Sequence, residues 1–214
     1  MSLSIADIRA EYSKHTLDIS DVQGDPIEQF QLWFDEANKV EISEVNAMHL
    51  STVNPNGMPS SRIILLKGIE NNGFVFFTNY QSDKGKDLDA NPAAALLFFW
   101  KELERQVRIQ GHVEKISKDD SEQYFQSRPK GSQIGAWTSP QSTVIESREL
   151  LEEREKAIAE KYKDEEVLPK PEQWGGYILK PMRIEFWQGR PNRLHDRILY
   201  SQVDGHWKIN RLAP

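Results

Sequence analysis

Cysteine is absent from the 214-residue chain, which excludes disulfide bonds, thiolate catalysis and thiolate metal ligands. The five histidines lie singly along the sequence, without an HExxH or similar zinc spacing, so no metal centre is expected. No GxGxxG or Walker sequence occurs either. Any bound phosphate must therefore be held by side chains rather than by a glycine-rich loop.

Stretches of about 18 apolar residues, which a membrane helix requires, are also missing. The N-terminus lacks the basic start and apolar block of a signal peptide, so a cytosolic protein without a membrane partner is expected. The net charge of −6, from 27 basic and 33 acidic residues, disfavours nucleic acid, because binding to its phosphate backbone requires a basic surface. Hydrophobic (38%), charged (28%) and aromatic (10%) fractions are typical of a soluble globular protein, and the length fits a single domain over residues 1–214.

Between residues 45 and 115 the sequence is rich in β-branched and aromatic residues, which favour strands. The turn sequences Asn54-Pro-Asn-Gly57 and Asn72-Gly73 predict reversals of the chain. The segments predicted as strands are 47–53, 61–67, 73–79, 93–100 and 105–115. Because these segments follow one another at hairpin spacing, and some are apolar on both faces, they predict an antiparallel barrel closed on itself.

Helical patterns lie on both sides of the predicted barrel strands. In the N-terminal segment 1–40, residues 4–14 have apolar side chains at helical spacing, and Asp25 with Pro26 starts a second helix. Further helices are predicted within residues 117–162, at 117–127 and 147–161. The C-terminal region 175–214 is predicted to form strands at 176–179, 184–188, 196–200 and 206–209. The fold class predicted is mainly β with flanking helices (α+β).

The sequence Arg193-Leu-His-Asp-Arg197 concentrates cationic and titratable groups at the start of a predicted strand. In an extended chain, Arg193, His195 and Arg197 point to one face, where they repel one another unless an anion lies between them. This pattern indicates a binding site for an anionic molecule. The alternative is a solvated edge strand whose charges discourage aggregation.

Two further basic patterns fit phosphate binding. Arg62 and Lys67 are five residues apart, so in a regular strand they point to opposite faces and indicate two separate anions. The alternative is that both are strand-end charges in water. The segment Gln81-Ser-Asp-Lys-Gly-Lys86 offers the Ser82 hydroxyl, the Lys84 charge and a flexible glycine, as a phosphate-binding turn requires.

A third pattern places Tyr124, Arg128 and Ser132 four residues apart, so that they form a donor set for a phosphate monoester. A helix-end arginine that bonds carbonyl oxygens is the commoner role for Arg128. The side chains suited to the edge of a heterocycle are Gln106, Gln141 and Ser142, although ordinary turn and strand roles fit them equally well.

These patterns belong to a set of motifs whose order and spacing are specific to one family. The motifs are Arg-Ile-Ile-Leu-Leu-Lys (62–67), Glu-Arg-Gln-Val (104–107), Ser-Arg-Pro-Lys-Gly-Ser-Gln-Ile-Gly-Ala-Trp (127–137), Gln-Ser (141–142), Trp-Gly-Gly (174–176), Ile-Glu-Phe-Trp-Gln-Gly (184–189), Arg-Leu-His-Asp-Arg (193–197) and Trp-Lys-Ile-Asn-Arg-Leu-Ala-Pro (207–214). In them the sequence resembles the pyridoxine (pyridoxamine) 5′-phosphate oxidase family, from about residue 5 to the last residue.

The resemblance implies an FMN-binding split β-barrel that acts as a homodimer with the flavin between subunits. It implies oxidation of pyridoxamine and pyridoxine 5′-phosphate to pyridoxal 5′-phosphate, with O2 as the acceptor and H2O2 as the product. Two other readings stay open: a split-barrel flavoprotein reductase or oxidase with another substrate, and a non-catalytic carrier of FMN or pyridoxal phosphate.

The resemblance also implies a role for each matching residue. The residues implied to bind FMN are Arg62, Ile63, Ile64, Leu65, Leu66, Lys67, Phe77, Thr78, Ser82, Lys84, Gln106, Gln141, Ser142, Trp187 and Arg197. Those implied to bind the substrate are Arg9, Tyr12, Lys67, Tyr124, Arg128, Ser132, Arg193 and His195. Arg193 and His195 are the implied catalytic pair, with His195 either exchanging a proton or fixing the pyridine ring.

The sequence departs from the family pattern at two of these positions. Asp83 stands where the family often has an arginine, directly before Lys84. A carboxylate beside a phosphate dianion is repulsive, so either Asp83 turns away or another cation such as Lys86 compensates. Phe77 stands where some members have a tyrosine, which removes one hydroxyl contact. Both departures concern the affinity for FMN more than the type of reaction.

Overall fold

The structure is a computed structural model that describes residues 4, 5, 8 and 11–214. Its α-helices are α1 (Pro26–Lys39), α2 (Asp83–Ala90), α3 (Lys118–Ser127), α4 (Lys130–Thr138) and α5 (Arg148–Lys161). Its strands are β1 (Ala47–Val53), β2 (Pro59–Leu65), β3 (Gly68–Glu70), β4 (Gly73–Asn79), β5 (Ala93–Trp100), β6 (Arg105–Lys115), β7 (Trp174–Gln188), β8 (Asp196–Val203) and β9 (His206–Arg211). None of the helices in the described ranges is long and apolar enough to cross a membrane.

The strands form a sheet with the hydrogen-bonded order β2-β1-β5-β6-β7-β4-β3, and β8 pairs with both β7 and β9. The pairs β4–β7 and β7–β8 are antiparallel: Phe77 lies opposite Gly176 in the first pair, and Trp187 lies opposite Arg197 in the second. The β4–β7 register therefore brings the aromatic side chain of Phe77 onto the Trp-Gly-Gly motif.

The chain divides into two compact units. One comprises the described part of Met1–Leu50 together with Ala95–Gly111 and Pro181–Pro214, and the other comprises Ser51–Ala94 and His112–Lys180. The core of the first unit contains Phe30, Trp33, Phe98, Trp100, Phe186 and Tyr200, all buried. The core of the second contains Phe74, Phe76, Phe125, Leu168 and Tyr177. Both cores are rich in aromatic rings.

Helix α1 confirms the prediction made from its N-terminus. The Asp25 side chain accepts a hydrogen bond from the Ile27 backbone N–H at 2.6 Å, and Pro26 occupies the first turn, where no N–H partner is needed. The face that carries Phe30 and Ala37 is buried. The strands predicted at 47–53, 73–79, 93–100 and 105–115, and the helices at 117–127 and 147–161, are also confirmed to within one residue.

Several predicted elements differ in the structure. The helix expected at 4–14 lies partly outside the described residues, and residues 11–14 are not helical. The strands expected at 176–179 and 184–188 are one continuous strand, because the fixed φ of Pro181 is compatible with extended backbone. Helix α4 was not predicted because Gly131 and Gly135 lower its helix propensity.

Candidate active site

A cavity of about 830 Å³ opens in the unit formed by Ser51–Ala94 and His112–Lys180. The strand β2, the end of β4 and the helices α2, α3 and α4 supply its walls. The predicted site residues that line it are Arg62, Ile63, Ile64, Leu65, Lys67, Phe77, Thr78, Lys84, Tyr124, Arg128, Ser132, Gln141 and Ser142. The three phosphate-binding patterns of the sequence are thus brought to one cavity.

Lys84 is buried in the wall of this cavity at the start of α2. Its Nζ donates to Thr78 Oγ1, Ser82 Oγ and Gln141 Oε1, each at 3.2 Å. Burial lowers the pKa of Lys84, and the charge of Arg62 lowers it further. These three acceptors are neutral, so none of them compensates the positive charge of the ammonium, whereas the carboxylate of Asp83 raises the pKa of Lys84.

Arg62 is half-buried on β2 and lines the same cavity. Its Nη1 donates to Thr52 Oγ1 at 2.8 Å and its Nη2 to Ser60 Oγ at 2.9 Å. Burial lowers the pKa of Arg62, while the carboxylates of Asp87 and Asp83 raise it. The guanidinium is therefore held in place by hydroxyl groups at both terminal nitrogens.

Arg128 carries a buried nitrogen, Nη1, for which the described residues provide no hydrogen-bond partner. Its guanidinium lies 4.8 Å from the centroid of the Trp174 ring, and burial lowers the pKa of Arg128. A buried donor without a partner is destabilising by about 1–3 kcal/mol on a neutral group and by more on a charged one. Arg128 also lines the cavity, and the strongest acceptor for a guanidinium is a phosphate or carboxylate.

A stack of aromatic rings forms the floor beside Arg128. The Phe77 and Tyr124 rings are nearly parallel with centroids 3.8 Å apart, and the Trp174 ring lies 5.3 Å from Phe77. Gly176 permits this packing, because a Cβ there would lie 2.8 Å from a Phe77 ring atom. Phe77 therefore stacks against its aromatic neighbours, and this stacking does not require a hydroxyl group.

The strand geometry corrects the prediction for Arg62 and Lys67. Strand β2 ends at Leu65, so the regular alternation of faces stops before Lys67, and both cations line the same cavity. Asp83 also lines this cavity and does not turn away, while Lys86 is exposed and is not part of the lining. The hypothesis of two anions stays a prediction.

A second cluster lies in the other unit, where Tyr12, Trp187 and His195 pack together. The His195 ring centroid is 4.5 Å from that of Trp187 and 6.1 Å from that of Tyr12. Gly189 allows Tyr12 to approach, because a Cβ at this glycine would lie only 2.7 Å from Tyr12 Cβ. The cluster therefore presents one imidazole beside two aromatic rings.

Hydrogen bonding fixes the tautomer of His195. The Arg190 backbone N–H donates to His195 Nδ1 at 3.1 Å, so a neutral His195 carries its proton on Nε2. Partial burial lowers the pKa of His195, as does the charge of Arg193, while Asp196 raises it. At neutral pH, His195 is thus a hydrogen-bond donor through Nε2.

The extended arrangement expected for Arg193, His195 and Arg197 is wrong. Strand β8 begins only at Asp196, and the preceding residues form a 3-10 turn in which Arg193 has a φ of +61°. The turn forms because Pro191 fixes its own φ and asparagine at position 192 tolerates a left-handed conformation. The three side chains therefore do not share a strand face.

The charge of Arg197 is already paired within the protein, while its predicted contact with FMN stays a prediction. Its Nε donates to the buried Glu185 carboxylate at 2.8 Å, and its Nη1 donates to the Ala213 carbonyl at 2.7 Å. The hydrogen bond with Glu185 raises the pKa of Arg197. The anion that relieves the charge repulsion at this residue is thus internal to the protein.

Comparison with known sequences identifies the family. The sequence model described as "Pyridoxamine 5'-phosphate oxidase" matches residues 34–162, and the one described as "Pyridoxine 5'-phosphate oxidase C-terminal dimerisation region" matches residues 174–214. The chain belongs to the pyridoxamine 5′-phosphate oxidase family. The family resemblance seen in the motifs is therefore confirmed.

Relatives in this family match the chain over nearly its whole length. A Burkholderia ambifaria protein named pyridoxine/pyridoxamine 5′-phosphate oxidase is 57% identical over 214 residues, which is 99% of this chain and 99% of that protein. A protein of the same name from Salinibacter ruber is 54% identical over 212 residues, covering 98% of this chain and 99% of its own length.

Two solved structures have the same fold as this chain. The crystal structure of PhzG from Burkholderia lata in complex with tetrahydrophenazine-1-carboxylic acid has a TM-score of 0.88 at 28% identity, covering 94% of this chain and 100% of its own. A pyridoxamine 5′-phosphate oxidase-related, FMN binding protein from Nostoc punctiforme has a TM-score of 0.70 at 18% identity, covering 90% of this chain and 100% of its own. The predicted fold class, a mainly β split barrel with flanking helices, is confirmed.

In this member of the pyridoxamine 5′-phosphate oxidase family, some implied residues lie outside the cavity and the aromatic cluster. Leu66 is a buried core residue. Ser82 is the N-cap of α2, and its hydroxyl accepts a hydrogen bond from Lys84. Gln106 is half-buried on β6, and Arg9 lies outside the described residues. Sequence reasoning assigned no cavity role to Trp174, although its Trp-Gly-Gly motif marked the segment.

Glu104 binds the N-terminal segment of the chain by hydrogen bonds to its backbone. The buried Glu104 carboxylate accepts hydrogen bonds from the backbone N–H groups of Ser13 at 2.8 Å and Lys14 at 3.0 Å. We expect Glu104→Ala to lower the free energy of unfolding by about 2 kcal/mol, because two buried hydrogen bonds to a charged group are lost. Urea unfolding measures this change. Glu104→Gln, which keeps an acceptor oxygen, is the matched control, and an alanine variant as stable as wild type would contradict the assignment.

Proposed function

We propose that this protein is an FMN-dependent oxidase that converts pyridoxamine and pyridoxine 5′-phosphate to pyridoxal 5′-phosphate, with O2 as the acceptor and H2O2 as the product. The observation that carries this proposal is the cavity with Lys84 and Arg62 in one cluster and the unpaired Arg128 in another. The relatives named pyridoxine/pyridoxamine 5′-phosphate oxidase support it, as does the FMN binding relative of known structure.

The donor set around Lys84 fits the phosphate of FMN. Lys84 and Arg62 supply two positive charges, and the hydroxyls of Ser60, Ser61 and Thr78 are further donors in the same cavity or its wall. A phosphate monoester carries a charge close to −2 at neutral pH, which these two cations would neutralise. Asp83 opposes this binding, since it lines the same cavity and its negative charge acts on both Arg62 and Lys84.

The donor set around Arg128 fits the phosphate of the substrate. Arg128, Tyr124, Ser132 and Lys67 all line the cavity, and the described residues provide no hydrogen-bond partner for Arg128 Nη1. A planar guanidinium binds two phosphate oxygens at once. This contact would fix the orientation of the bound substrate and raise the affinity for it. Hydroxyl groups of Tyr124 and Ser132 would complete the set.

Bound FMN supplies the hydride acceptor for the 4′ carbon of the substrate and transfers the electrons to O2, which side chains alone cannot do. The residues that would contact the flavin beyond its phosphate are those of segment 62–67 with Phe77, Thr78, Gln106, Gln141, Ser142, Trp187 and Arg197. We propose that the protein is a homodimer with the flavin between subunits, which the match of residues 174–214 to a dimerisation region supports. A cytosolic location stays a prediction.

Arg193 and His195 are proposed to act on the pyridine ring. His195 would donate a hydrogen bond from Nε2, because its Nδ1 already accepts the Arg190 N–H, and this favours ring fixation over proton uptake. The exposed Arg193 would stabilise negative charge that develops on the ring. Tyr12, packed against His195, and Arg9 would cover the substrate from the N-terminal segment.

We expect Arg193→Ala to lower turnover by about 100-fold while the FMN content of the purified protein stays within about 2-fold of wild type. The reason is that Arg193 is assigned to the substrate ring and not to the flavin. Steady-state kinetics and flavin absorbance of the same preparation measure both quantities. An equal loss of turnover and flavin content would remove Arg193 from this role.

An aerobic assay separates the proposed oxidase from the two other readings. The FMN-loaded protein is mixed with pyridoxamine 5′-phosphate, and pyridoxal 5′-phosphate and H2O2 are measured. Both products in equal amounts support the proposal, whereas binding without product supports a carrier. Turnover of another substrate alone would support a different flavoprotein reaction. Arg128 favours a phosphorylated substrate over an unphosphorylated one, because it lines the cavity and its Nη1 has no hydrogen-bond partner among the described residues.

A further inference from the structure

A chain of two hydrogen bonds links the half-buried Arg62 to a buried carboxylate on a different element. Arg62 Nη1 on β2 donates to Thr52 Oγ1 on β1 at 2.8 Å, and Thr52 Oγ1 donates to Asp87 Oδ2 on α2 at 2.7 Å. Thr52 is fully buried and Asp87 is 8% exposed. All three residues belong to the unit that contains the cavity, and only Arg62 is part of the cavity lining.

The chemistry of the three groups fixes the direction of this chain. An ionised carboxylate only accepts hydrogen bonds, and a guanidinium only donates them. The single hydroxyl proton of Thr52 must therefore point to Asp87, which leaves an oxygen lone pair for Arg62 Nη1. Because Ser60 Oγ accepts from Nη2, both terminal nitrogens of Arg62 are held. The plane of the guanidinium is thus fixed before any ligand binds.

We propose that Thr52 and Asp87 are positioning residues that hold Arg62 in the orientation required to bind the phosphate of FMN. This inference rests on the proposed function, in which Arg62 binds that phosphate. Nη1 of Arg62 contacts the neutral hydroxyl of Thr52 and not the Asp87 carboxylate. Asp87 therefore orients Arg62 indirectly, through Thr52. The Asp87 carboxylate also favours the charged form of Arg62.

Burial of Thr52 supports a role beyond packing. A valine would fill the same volume without a hydroxyl group, and burying a hydroxyl is unfavourable unless it is hydrogen-bonded. Here the hydroxyl uses both its proton and a lone pair, and its partners are two charged side chains. The position is therefore built for hydrogen bonding to Arg62 rather than for filling space.

Thr52→Val tests this proposal through the affinity for FMN compared with that for riboflavin, which lacks the phosphate. We expect Thr52→Val to weaken FMN binding about 10-fold, because a hydrogen bond to a charged group is lost, and to change riboflavin binding by less than about 2-fold. Thr52→Ser keeps the hydroxyl and is expected to bind both ligands like wild type. Quenching of flavin fluorescence on titration of the apoprotein measures each affinity. Equal losses for FMN and riboflavin, or no loss for FMN, would overturn the proposal.

Asp87→Asn provides a second variant in case Thr52→Val does not fold. Its amide oxygen still accepts the Thr52 proton but carries no charge, so a smaller loss of about 3-fold is expected, again for FMN and not for riboflavin. If this variant shows no FMN-selective loss, the proposal is overturned.

Arg62→Ala separates the positioning role of Thr52 and Asp87 from the phosphate-binding role of Arg62. If Arg62→Ala loses FMN selectively and Thr52→Val does not, only the positioning role fails, whereas an unchanged Arg62→Ala refutes the phosphate role of Arg62 as well.

Discussion

Replacing Arg128 by methionine is expected to raise the KM for pyridoxamine 5′-phosphate about 100-fold, while the affinity for FMN stays within about 2-fold of wild type. Methionine preserves much of the volume and apolar contact against Trp174 but removes the charge and the buried donor Nη1. The loss concerns the substrate phosphate alone. Turnover of unphosphorylated pyridoxamine, which is expected to be slow in wild type, is therefore expected to change little.

Steady-state kinetics with both amines measure this effect, and two variants serve as controls. Arg128→Lys keeps the charge without the planar fork, so an intermediate KM is expected. Arg148→Met removes an arginine whose side chain is 82% exposed and paired with Glu152, and it is expected to behave like wild type. A KM for the phosphorylated amine that is unchanged in Arg128→Met would show that Arg128 does not bind the substrate phosphate.

Replacing Lys84 by methionine is expected to weaken FMN binding about 100-fold, so that the protein is purified largely without flavin. Lys84 is the buried cation of the proposed FMN phosphate site, and its three neutral partners cannot bind the phosphate charge in its place. The free energy of unfolding of the apoprotein is expected to change by about 1 kcal/mol or less. The lost hydrogen bonds of the ammonium and the relieved unfavourable burial of its charge offset one another.

Fluorescence titration with FMN and urea unfolding of the apoprotein measure these two quantities. Lys86→Met is the matched control, because Lys86 lies on the same helix, is exposed and does not line the cavity. Its FMN affinity is expected to match that of wild type. If the FMN affinity falls equally in Lys84→Met and Lys86→Met, the cause is the change in net charge and not the loss of a specific phosphate contact.

Local sequence signals predicted the elements whose cause is local. Asp25 and Pro26 determine the start of α1, and the Asn72-Gly73 signal lies where the turn at Asn71 and Asn72 leads into β4. The turn at Pro191–Arg193 was missed because alternation along an extended chain was assumed across a proline. Helix α2 was missed because Gly85 was interpreted as turn chemistry, whereas here the glycine allows close approach to the Tyr80 backbone: a Cβ at Gly85 would lie 2.2 Å from the Tyr80 carbonyl oxygen.

The contacts that position the site connect residues far apart in the sequence. Glu104 binds Ser13 across 91 positions, and Thr52 binds Asp87 across 35. No spacing rule links such residues, because their proximity results from the sheet order rather than from local structure. The residue types around the cavity could be predicted from the sequence, but the unpaired nitrogen of Arg128 and the internal pairing of Arg197 could not.

Anaerobic mixing of the FMN-loaded protein with one equivalent of pyridoxamine 5′-phosphate tests the proposed reaction most directly. If the bound flavin takes the hydride from the substrate, its visible absorbance bleaches, one equivalent of pyridoxal 5′-phosphate forms, and admission of air restores the absorbance. Retention of the full flavin absorbance with pyridoxamine 5′-phosphate bound would contradict the proposed oxidase function.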